Sequence, residues 1–231
     1  MKLILLPGMD GTGLLFAPLL LALPSTLETQ VIAYPADIAN SYLQLADFVQ
    51  QQLPTDAPFV VLAESFSGPI AVAISCTNPP MFRGIIFVSS FVQTPRLAMH
   101  NLVHRLPLAL LLSLPQPALL LRLFCLGMRA SDELIALFRD TLSRVRPTIL
   151  AARLVMISQA DQNTCKSEFS SPVLYLRATN DWLVPKDSAK SLQRWYPKMV
   201  IEDITGPHFL LQAQPERCAQ EIIQFLETLD Q

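Results

Sequence analysis

Ser65 stands at the end of an apolar run, within the segment VVLAESFSGPIAVAI at 60–74. A serine at that place either caps the helix that follows or attacks a carbonyl carbon as a nucleophile. A nucleophile on a tight strand-to-helix turn needs small residues two positions before and after it, and Ala63 and Ser67 meet that need. Gly68 adds a small residue where the helix must pack against the strand. This segment alone leaves both interpretations open.

A glycine-rich loop, LPGMDGTG at 6–13, follows the first apolar run and holds three of the chain's seven glycines. Glycine-rich backbone at the end of a strand lets amide groups point at a small anionic target. Beside a serine nucleophile, the backbone N–H groups of Met9 and Phe66 are expected to form an oxyanion hole. A phosphate-binding loop is the rival interpretation, but the segment fits neither the P-loop nor the dinucleotide-binding pattern. The loop glycines are Gly8, Gly11 and Gly13.

A serine nucleophile also needs a general base, and the chain has three histidines. His208 lies in ITGPHFLLQAQPE, after the last predicted strand and before the final helix. A loop histidine without a role is the alternative there. His100 and His104 are spaced four apart and could share a metal, but no third ligand is near them and a solvated helix face is the simpler interpretation. We therefore expect His208 to be the base, with no metal and no other cofactor.

The base needs a carboxylate that orients it, and Asp181 in RATNDWLVP follows the fifth predicted strand. An aspartate there would hold the His208 ring in one tautomer and stabilise its charged form. Asp181 could equally be a turn residue, whereas Asp187 is better interpreted as a first-turn helix residue. Each of the four segments follows a different strand, and the carboxyl ends of parallel strands share one edge of a sheet. Together they predict Ser65 as a nucleophile with His208 and Asp181 as its partners.

The elements that must position these residues are short runs rich in Val, Ile and Leu, separated by helix-length segments. Strand alternating with helix predicts a mostly parallel, six-stranded α/β sheet with helices on both faces. From Ile85 to Val173 the strand starts are 88 residues apart, although about 30 suffice for one crossover. Residues 93–166 are therefore predicted to be a helical cap after the fourth strand, on a core of 1–92 and 167–231. The predicted strands are 2–6, 30–34, 59–63, 85–88, 173–177 and 199–204.

Composition excludes several classes of function. The 231 residues carry 17 basic and 19 acidic side chains without a basic cluster, so no nucleic-acid partner is expected. The four cysteines have no paired spacing of the kind seen in zinc sites or disulfide frameworks, which predicts reduced thiols and a cytoplasmic protein. The first apolar run is too short for a signal peptide. The stretch 106–121 is broken by three prolines and is shorter than the roughly 20 residues of a transmembrane helix.

The four segments resemble the signature regions of the α/β-hydrolase superfamily. LPGMDGTG corresponds to the oxyanion loop, AESFSG to the nucleophile elbow, TNDWLVP to the acid loop and GPHF to the histidine loop. The resemblance covers nearly the whole core, and the insertion lies where this superfamily carries its lid. Ala63 and Ser67 replace the usual elbow glycines, Pro7-Gly8 replaces the His-Gly of many relatives, and the antiparallel first hairpin is missing. Relatives include esterases, lipases, thioesterases, acyltransferases, C–C hydrolases and non-catalytic receptors, among which the fold does not choose.

We expect a serine hydrolase that cleaves carboxylic ester or thioester bonds of a moderately hydrophobic acyl substrate through an acyl-enzyme. PGMDGTG followed by LLFAPL is similar to branches of the superfamily that act on lipid-like acyl groups. The leucine-rich cap, with Phe124, Met128 and Phe138, favours an apolar acyl pocket, although such helices also simply pack on the core. An acyltransferase with the same residues and a non-catalytic ligand-binding protein stay open. So do a peripheral membrane contact through the cap, as in a membrane-associated lipase, and the oligomeric state.

Overall fold

The computed structural model describes residues 1–37, 41–95, 103, 105–161 and 169–229. Its strands form one sheet in which every neighbouring pair is parallel. The order across the sheet is β2-β1-β3-β4-β5-β6, so the direction of winding reverses between β1 and β3. Open parallel sheets bind ligands beyond the carboxyl ends of their strands at such a reversal. The strands are β1 (Lys2–Leu6), β2 (Glu28–Val31), β3 (Phe59–Glu64), β4 (Phe82–Val88), β5 (Val173–Ala178) and β6 (Val200–Ile204).

Helices cover both faces of this sheet, as the sequence predicts. One face packs against α2, α3 and α8, and the other against α1, α9 and α10. All six residues of β3 are buried, which explains why its sequence is apolar without alternation. The helices are α1 (Ala17–Ala22), α2 (Tyr42–Gln50), α3 (Gly68–Thr77), α4 (Leu108–Ser113), α5 (Ala118–Leu121), α6 (Asp132–Ser143), α7 (Pro147–Ser158), α8 (Ser188–Trp195), α9 (Leu210–Ala213) and α10 (Pro215–Leu229). Asp187 is the N-cap residue of α8 rather than part of its first turn.

The second strand differs from its prediction in position. It was expected at 30–34, but β2 ends at Val31. The Ile32 amide still donates to the carbonyl of β1 residue Leu5 at 3.1 Å, and the Tyr34 amide then donates to the Gly11 carbonyl at 2.7 Å. The chain therefore leaves the sheet here because its backbone binds the glycine-rich loop instead.

The described residues between β4 and β5 include α4, α5, α6 and α7, and the division into core and cap stays a prediction. Phe138 of α6 is buried against Leu15, so this residue packs between the predicted cap and the core. Phe124 and Met128 are exposed instead. His100 and His104 lie outside the described residues.

The cysteines depart from their prediction at one position. Cys76 takes part in a disulfide bond, whereas Cys125 and Cys218 are free thiols. The expectation of reduced thiols is therefore wrong for Cys76, and the predicted cytoplasmic location loses that support. Among the residues that the structure describes, no helix is both long and apolar enough to cross a membrane.

Candidate active site

Ser65 sits on a tight turn between β3 and α3. Residues 65–67 form a single 3₁₀ turn, and Ser65 has φ of 45°, in the left-handed region that non-glycine residues rarely adopt. Its carbonyl accepts a hydrogen bond from Ser90 Oγ at 2.7 Å, which holds this unusual conformation. Strained strand-to-helix turns of this kind expose a serine hydroxyl above the sheet.

Small residues are needed on both sides of this turn, as the sequence predicts. A Cβ atom on Gly68 would overlap the carbonyl oxygen of Phe91, so the first residue of α3 packs on the backbone that follows β4. Ala63 and Ser67 are completely buried. Glycine is therefore required at 68, whereas alanine and serine suffice two positions before and after Ser65.

Ser65, His208 and Asp181 form one hydrogen-bonded chain. Ser65 Oγ lies 2.9 Å from His208 Nε2, and His208 Nδ1 lies 2.8 Å from Asp181 Oδ2. The His208 and Asp181 side chains are only 5% and 4% exposed. Because a carboxylate only accepts hydrogen bonds, Nδ1 carries the proton and Nε2 is free to accept from the serine hydroxyl. The three residues that the sequence singles out are thus brought together.

The acid loop and the histidine loop are fixed to each other. Asp181 Oδ1 accepts the amides of Leu183 and Val184, both at 2.8 Å, so the carboxylate is held by its own loop. The Asn180 amide donates to the carbonyl of Gly206 at 3.0 Å. A Cβ atom on Gly206 would come within 2.6 Å of Leu210 Cδ1, so a larger residue there would require the Leu210 side chain to shift.

The glycine-rich loop lies beside the Ser65 turn because β1 and β3 are neighbours. Leu6 pairs with Ala63 at the end of their ladder, so Met9 and Phe66 each follow it by three residues at the same sheet edge. Gly11 and Gly13 have φ of 73° and 76°, which only glycine adopts readily. The oxyanion-hole role of the Met9 and Phe66 amides stays a prediction.

Two side chains near Ser65, those of Ser67 and Tyr34, make contacts that the sequence did not indicate. Ser67 donates a hydrogen bond to the carbonyl of Pro7, and the Tyr34 hydroxyl contacts Ser67 in turn. Because the Ser67 hydroxyl donates its proton to the Pro7 carbonyl, Tyr34 is the donor in its contact with Ser67. Burial raises the pKa of Tyr34. Ser67 therefore ties the nucleophile turn to the glycine-rich loop. The only signal in the sequence was a serine where relatives of this fold have glycine.

A third missed residue, Arg153, comes from α7 in the predicted cap. It is 3% exposed, and its guanidinium donates to the carbonyls of Met9 and Asp10 at 3.0 and 2.6 Å. The signal was a single charged residue inside the apolar helix segment ILAARLVMI.

Two carboxyl groups are buried at the glycine-rich loop, Asp10 within it and Glu64 beside it. Burial raises the pKa of Glu64 to about 7, against the hydrogen bond from Gln212 Nε2 at 2.9 Å, which lowers it. Burial also raises the pKa of Asp10, opposed by its hydrogen bonds to Thr12 and by the charge of Arg153. Glu64 directly precedes Ser65, so a titrating group lies next to the nucleophile.

The described residues contain no cluster of side chains suited to a metal ion. A groove of about 900 Å³ opens between the predicted cap and the histidine loop. It is lined by Asn180, Trp182 and Pro207, the neighbours of Asp181 and His208, rather than by Ser65. The reacting group must contact Ser65 Oγ, so we do not assign the acyl group to this groove.

Solved structures similar to this chain share its fold. A lipase-esterase related protein from Clostridium acetobutylicum has a TM-score of 0.78 at 15% identity, covering 97% of this chain and 93% of that chain. A thermophilic esterase from Thermogutta terrifontis also gives 0.78 at 17% identity, with coverage of 99% and 90%. The enol-lactonase from Burkholderia xenovorans gives 0.77 at 14% identity, with coverage of 98% and 91%.

No curated protein matches the chain at a significant level. The family model described as "Serine aminopeptidase, S33" matches residues 31–205, well over half of the chain. That span includes Ser65 and Asp181 but ends just before His208 and begins after the glycine-rich loop. With its parallel sheet and its structural relatives, this match shows that the chain belongs to the S33 serine aminopeptidase family of hydrolases, within the α/β-hydrolase superfamily.

Proposed function

We propose that the protein is a serine hydrolase that cleaves carboxylic ester or thioester bonds through an acyl-enzyme, with Ser65, His208 and Asp181 as a catalytic triad. The observation that carries this proposal is the hydrogen-bonded chain from Ser65 Oγ through His208 to Asp181, at 2.9 and 2.8 Å. Nucleophile, base and orienting acid in this geometry support acyl transfer to the serine.

In the first half-reaction, Ser65 Oγ attacks the substrate carbonyl carbon while His208 Nε2 takes the hydroxyl proton. The negative charge moves to the carbonyl oxygen, where the Met9 and Phe66 amides donate to it. Collapse of this intermediate breaks the bond to the leaving group. The departing alcohol or thiol takes the proton from His208, which leaves the acyl group on Ser65.

In the second half-reaction, His208 takes a proton from water as the water oxygen attacks the acyl-enzyme carbonyl. The same two amides bind the oxyanion. The bond to Ser65 then breaks, Oγ regains its proton from His208, and the carboxylic acid leaves. Asp181 accepts from Nδ1 throughout, which stabilises the charged imidazole in both steps.

The surroundings of the triad favour a moderately hydrophobic substrate. Leu123 and Met128 of the predicted cap line the groove beside the acid loop, and Phe124 packs edge-to-face on Trp182 of that loop. The structural relatives include an esterase and an enol-lactonase. Their names agree with an ester substrate, but the proposal does not depend on them.

Labelling by a fluorophosphonate probe tests the proposal, followed by hydrolysis of p-nitrophenyl acyl esters of increasing chain length. We expect wild type to label and to hydrolyse, and Ser65→Ala to do neither while keeping its fold. Ser113→Ala, an exposed serine of α4, is the control. A folded wild type that neither labels nor cleaves any ester or thioester would contradict the proposal and favour a non-catalytic ligand-binding protein.

An acyltransferase would use the same residues with an alcohol or amine in place of water. Product analysis with an added acceptor separates the two reactions. Free acid as the main product supports hydrolysis, and acylated acceptor as the main product supports transfer.

We further infer that the predicted cap contacts lipid surfaces. Residues 105–131 contain three arginines, of which Arg122 pairs with Asp132 at 2.6 Å, and no carboxylate of their own. They expose large apolar side chains such as Leu119 and Met128, at 63% and 61%. An apolar surface with basic residues suits an anionic membrane.

Wild-type protein is expected to co-sediment with anionic vesicles, and the bound fraction is expected to be smaller for Leu119→Gln. The control is Leu21→Gln on α1, 88% exposed on the core. Equal binding by both variants would contradict this assignment.

A further inference from the structure

Arg153 places a buried cation against the glycine-rich loop. Nη1 donates to the carbonyls of Met9 and Asp10 at 3.0 and 2.6 Å, and Nη2 donates to the carbonyl of Pro35 at 2.9 Å. The guanidinium carbon also lies 5.8 Å from the centre of the Tyr34 ring. One side chain of α7 thus joins the loop after β1 to the segment after β2.

These contacts flank the peptide group that contains the Met9 amide. On one side, the Pro7 carbonyl accepts from Ser67. On the other, the Met9 carbonyl accepts from Arg153. Each flanking peptide is therefore held by a side chain from a different element.

The peptide between Gly8 and Met9 is held as well. Its carbonyl, that of Gly8, accepts the Gly11 amide at 3.0 Å. In a planar trans peptide the N–H points away from the C=O, and the part of the chain that the structure describes has no cis peptide bond. The direction of the Met9 N–H is thus set by this turn, which the contacts on either side keep in place.

The loop and the arginine fit each other closely. A Cβ atom on Gly11 would overlap the Arg153 guanidinium, so the loop needs glycine there for space as well as for its positive φ. The Asp10 carboxyl is buried nearby and supplies the opposing charge. Removal of the guanidinium would leave three carbonyls without their charged donor, and this would free the loop to move.

We propose that Arg153 is a positioning residue for the oxyanion hole, which makes the orientation of the Met9 amide depend on helix α7 of the predicted cap. This inference rests on the proposed function. It follows that α7 must keep its position for the active site to stay intact, since its displacement would break the hydrogen bonds from Arg153 to the Met9 and Asp10 carbonyls.

The test compares Arg153→Met with Arg139→Met in full-length protein. Arg139 is the control because its guanidinium also holds a backbone carbonyl, that of Gln116 at 2.6 and 3.1 Å, on the exposed side of α6 and away from the loop. In Arg153→Met, we expect kcat for a p-nitrophenyl ester to fall about 10- to 100-fold with KM within about twofold, because a misplaced oxyanion donor acts on the transition state. The affinity for a trifluoromethyl ketone, whose adduct carries an oxyanion, is expected to fall by a similar factor.

Two further variants cover the case in which Arg153→Met does not fold. Arg153→Lys keeps the charge but not the forked donors, so kcat is expected to lie between wild type and Arg153→Met at nearly unchanged Tm. Gly11→Ala disrupts the same contact from the loop side, because its methyl group would overlap the guanidinium, and it is expected to lower kcat in the same way. Hydrogen exchange in residues 8–13 is expected to rise in the Arg153 variants and not in Arg139→Met.

Full turnover and inhibitor affinity in a folded Arg153 variant would overturn this inference alone, provided that wild type is active and Ser65→Ala is not. Equal losses in Arg139→Met would overturn it too, since they would indicate a general effect of cap stability. A wild type that is inert to both ester and fluorophosphonate would overturn the proposed function and this inference together.

Discussion

One carboxylate oxygen of Asp181 is hydrogen-bonded to His208, and the other accepts hydrogen bonds from the loop that carries Asp181. Oδ2 lies 2.8 Å from His208 Nδ1, while Oδ1 accepts the amides of Leu183 and Val184 at 2.8 Å each. The loop contacts prevent rotation of the carboxylate, so the histidine ring meets an acceptor in a fixed place. The two functions are separable because they use different atoms.

Asp181→Asn is therefore expected to inactivate the protein without unfolding it. The amide oxygen can keep the two loop hydrogen bonds, which turns the NH₂ group toward Nδ1. Nδ1 must then accept, the proton moves to Nε2, and His208 no longer serves as base for Ser65. We expect kcat to fall about 10³- to 10⁴-fold at nearly unchanged Tm. Asp187→Asn, an exposed aspartate at the start of α8, is the control; a small loss of kcat in Asp181→Asn would count against the triad.

Ser67→Ala is expected to impair both stability and turnover. The substitution leaves the Pro7 carbonyl and the Tyr34 hydroxyl without their partner, at a cost of about 1–3 kcal/mol in the free energy of unfolding. Because Ser67 links the nucleophile turn to the glycine-rich loop, kcat is expected to fall about tenfold. Ser75→Ala removes another buried hydroxyl, from the helix α3 that follows Ser67, and is expected to lose stability but keep kcat. Parallel losses of kcat in both variants would show that the effect is general.

Gly68→Ala is expected to be among the most damaging single-methyl substitutions in the chain. Its Cβ would overlap the Phe91 carbonyl, and a backbone atom cannot move aside as a flexible side chain does. We expect a loss of about 3 kcal/mol in the free energy of unfolding, measured by urea denaturation. Gly8→Ala is the matched control, since its nearest neighbour would be 3.7 Å away. Equal stability of the two variants would contradict the packing argument.

The sequence predicted the residues that chemistry constrains and missed those that only tertiary contacts reveal. Ser65, Asp181 and His208 were singled out because each follows a different predicted strand, and the parallel sheet brings those ends to one edge, where the three side chains meet. Their catalytic roles stay a prediction. Arg153 was missed because it lies in a helix far from the loop in sequence, and no local pattern indicates which carbonyls a buried guanidinium will meet. The end of β2 was misplaced because residues 30–34 have the composition of a strand, whereas the Tyr34 amide binds the glycine-rich loop instead of the sheet.

Glu64 is a further residue whose environment no local pattern reveals. It ends β3 with 3% of its surface exposed, and its carboxyl group accepts from Gln212 Nε2. Its pKa is raised from 4.5 to about 7, chiefly by burial; the hydrogen bond from Gln212 and the charge of His208 lower the pKa, and the charge of Asp10 raises it. Between about pH 4.5 and 7 the folded protein thus holds a proton on Glu64 that the unfolded chain releases.

This difference makes stability depend on pH through Glu64. Because the folded pKa is the higher one, the contribution is fully present below about pH 4.5 and is lost as pH rises toward 7. Glu64→Gln, which stays neutral, is therefore expected to gain stability relative to wild type across this window, by about 1–3 kcal/mol in total.

Urea denaturation at pH 5, 6, 7 and 8 measures this gain. Glu227→Gln, on the exposed side of α10, is the control for the exchange of glutamate for glutamine. A difference between Glu64→Gln and wild type that stays constant over this range would mean that Glu64 is ionised in the folded protein, in spite of its burial.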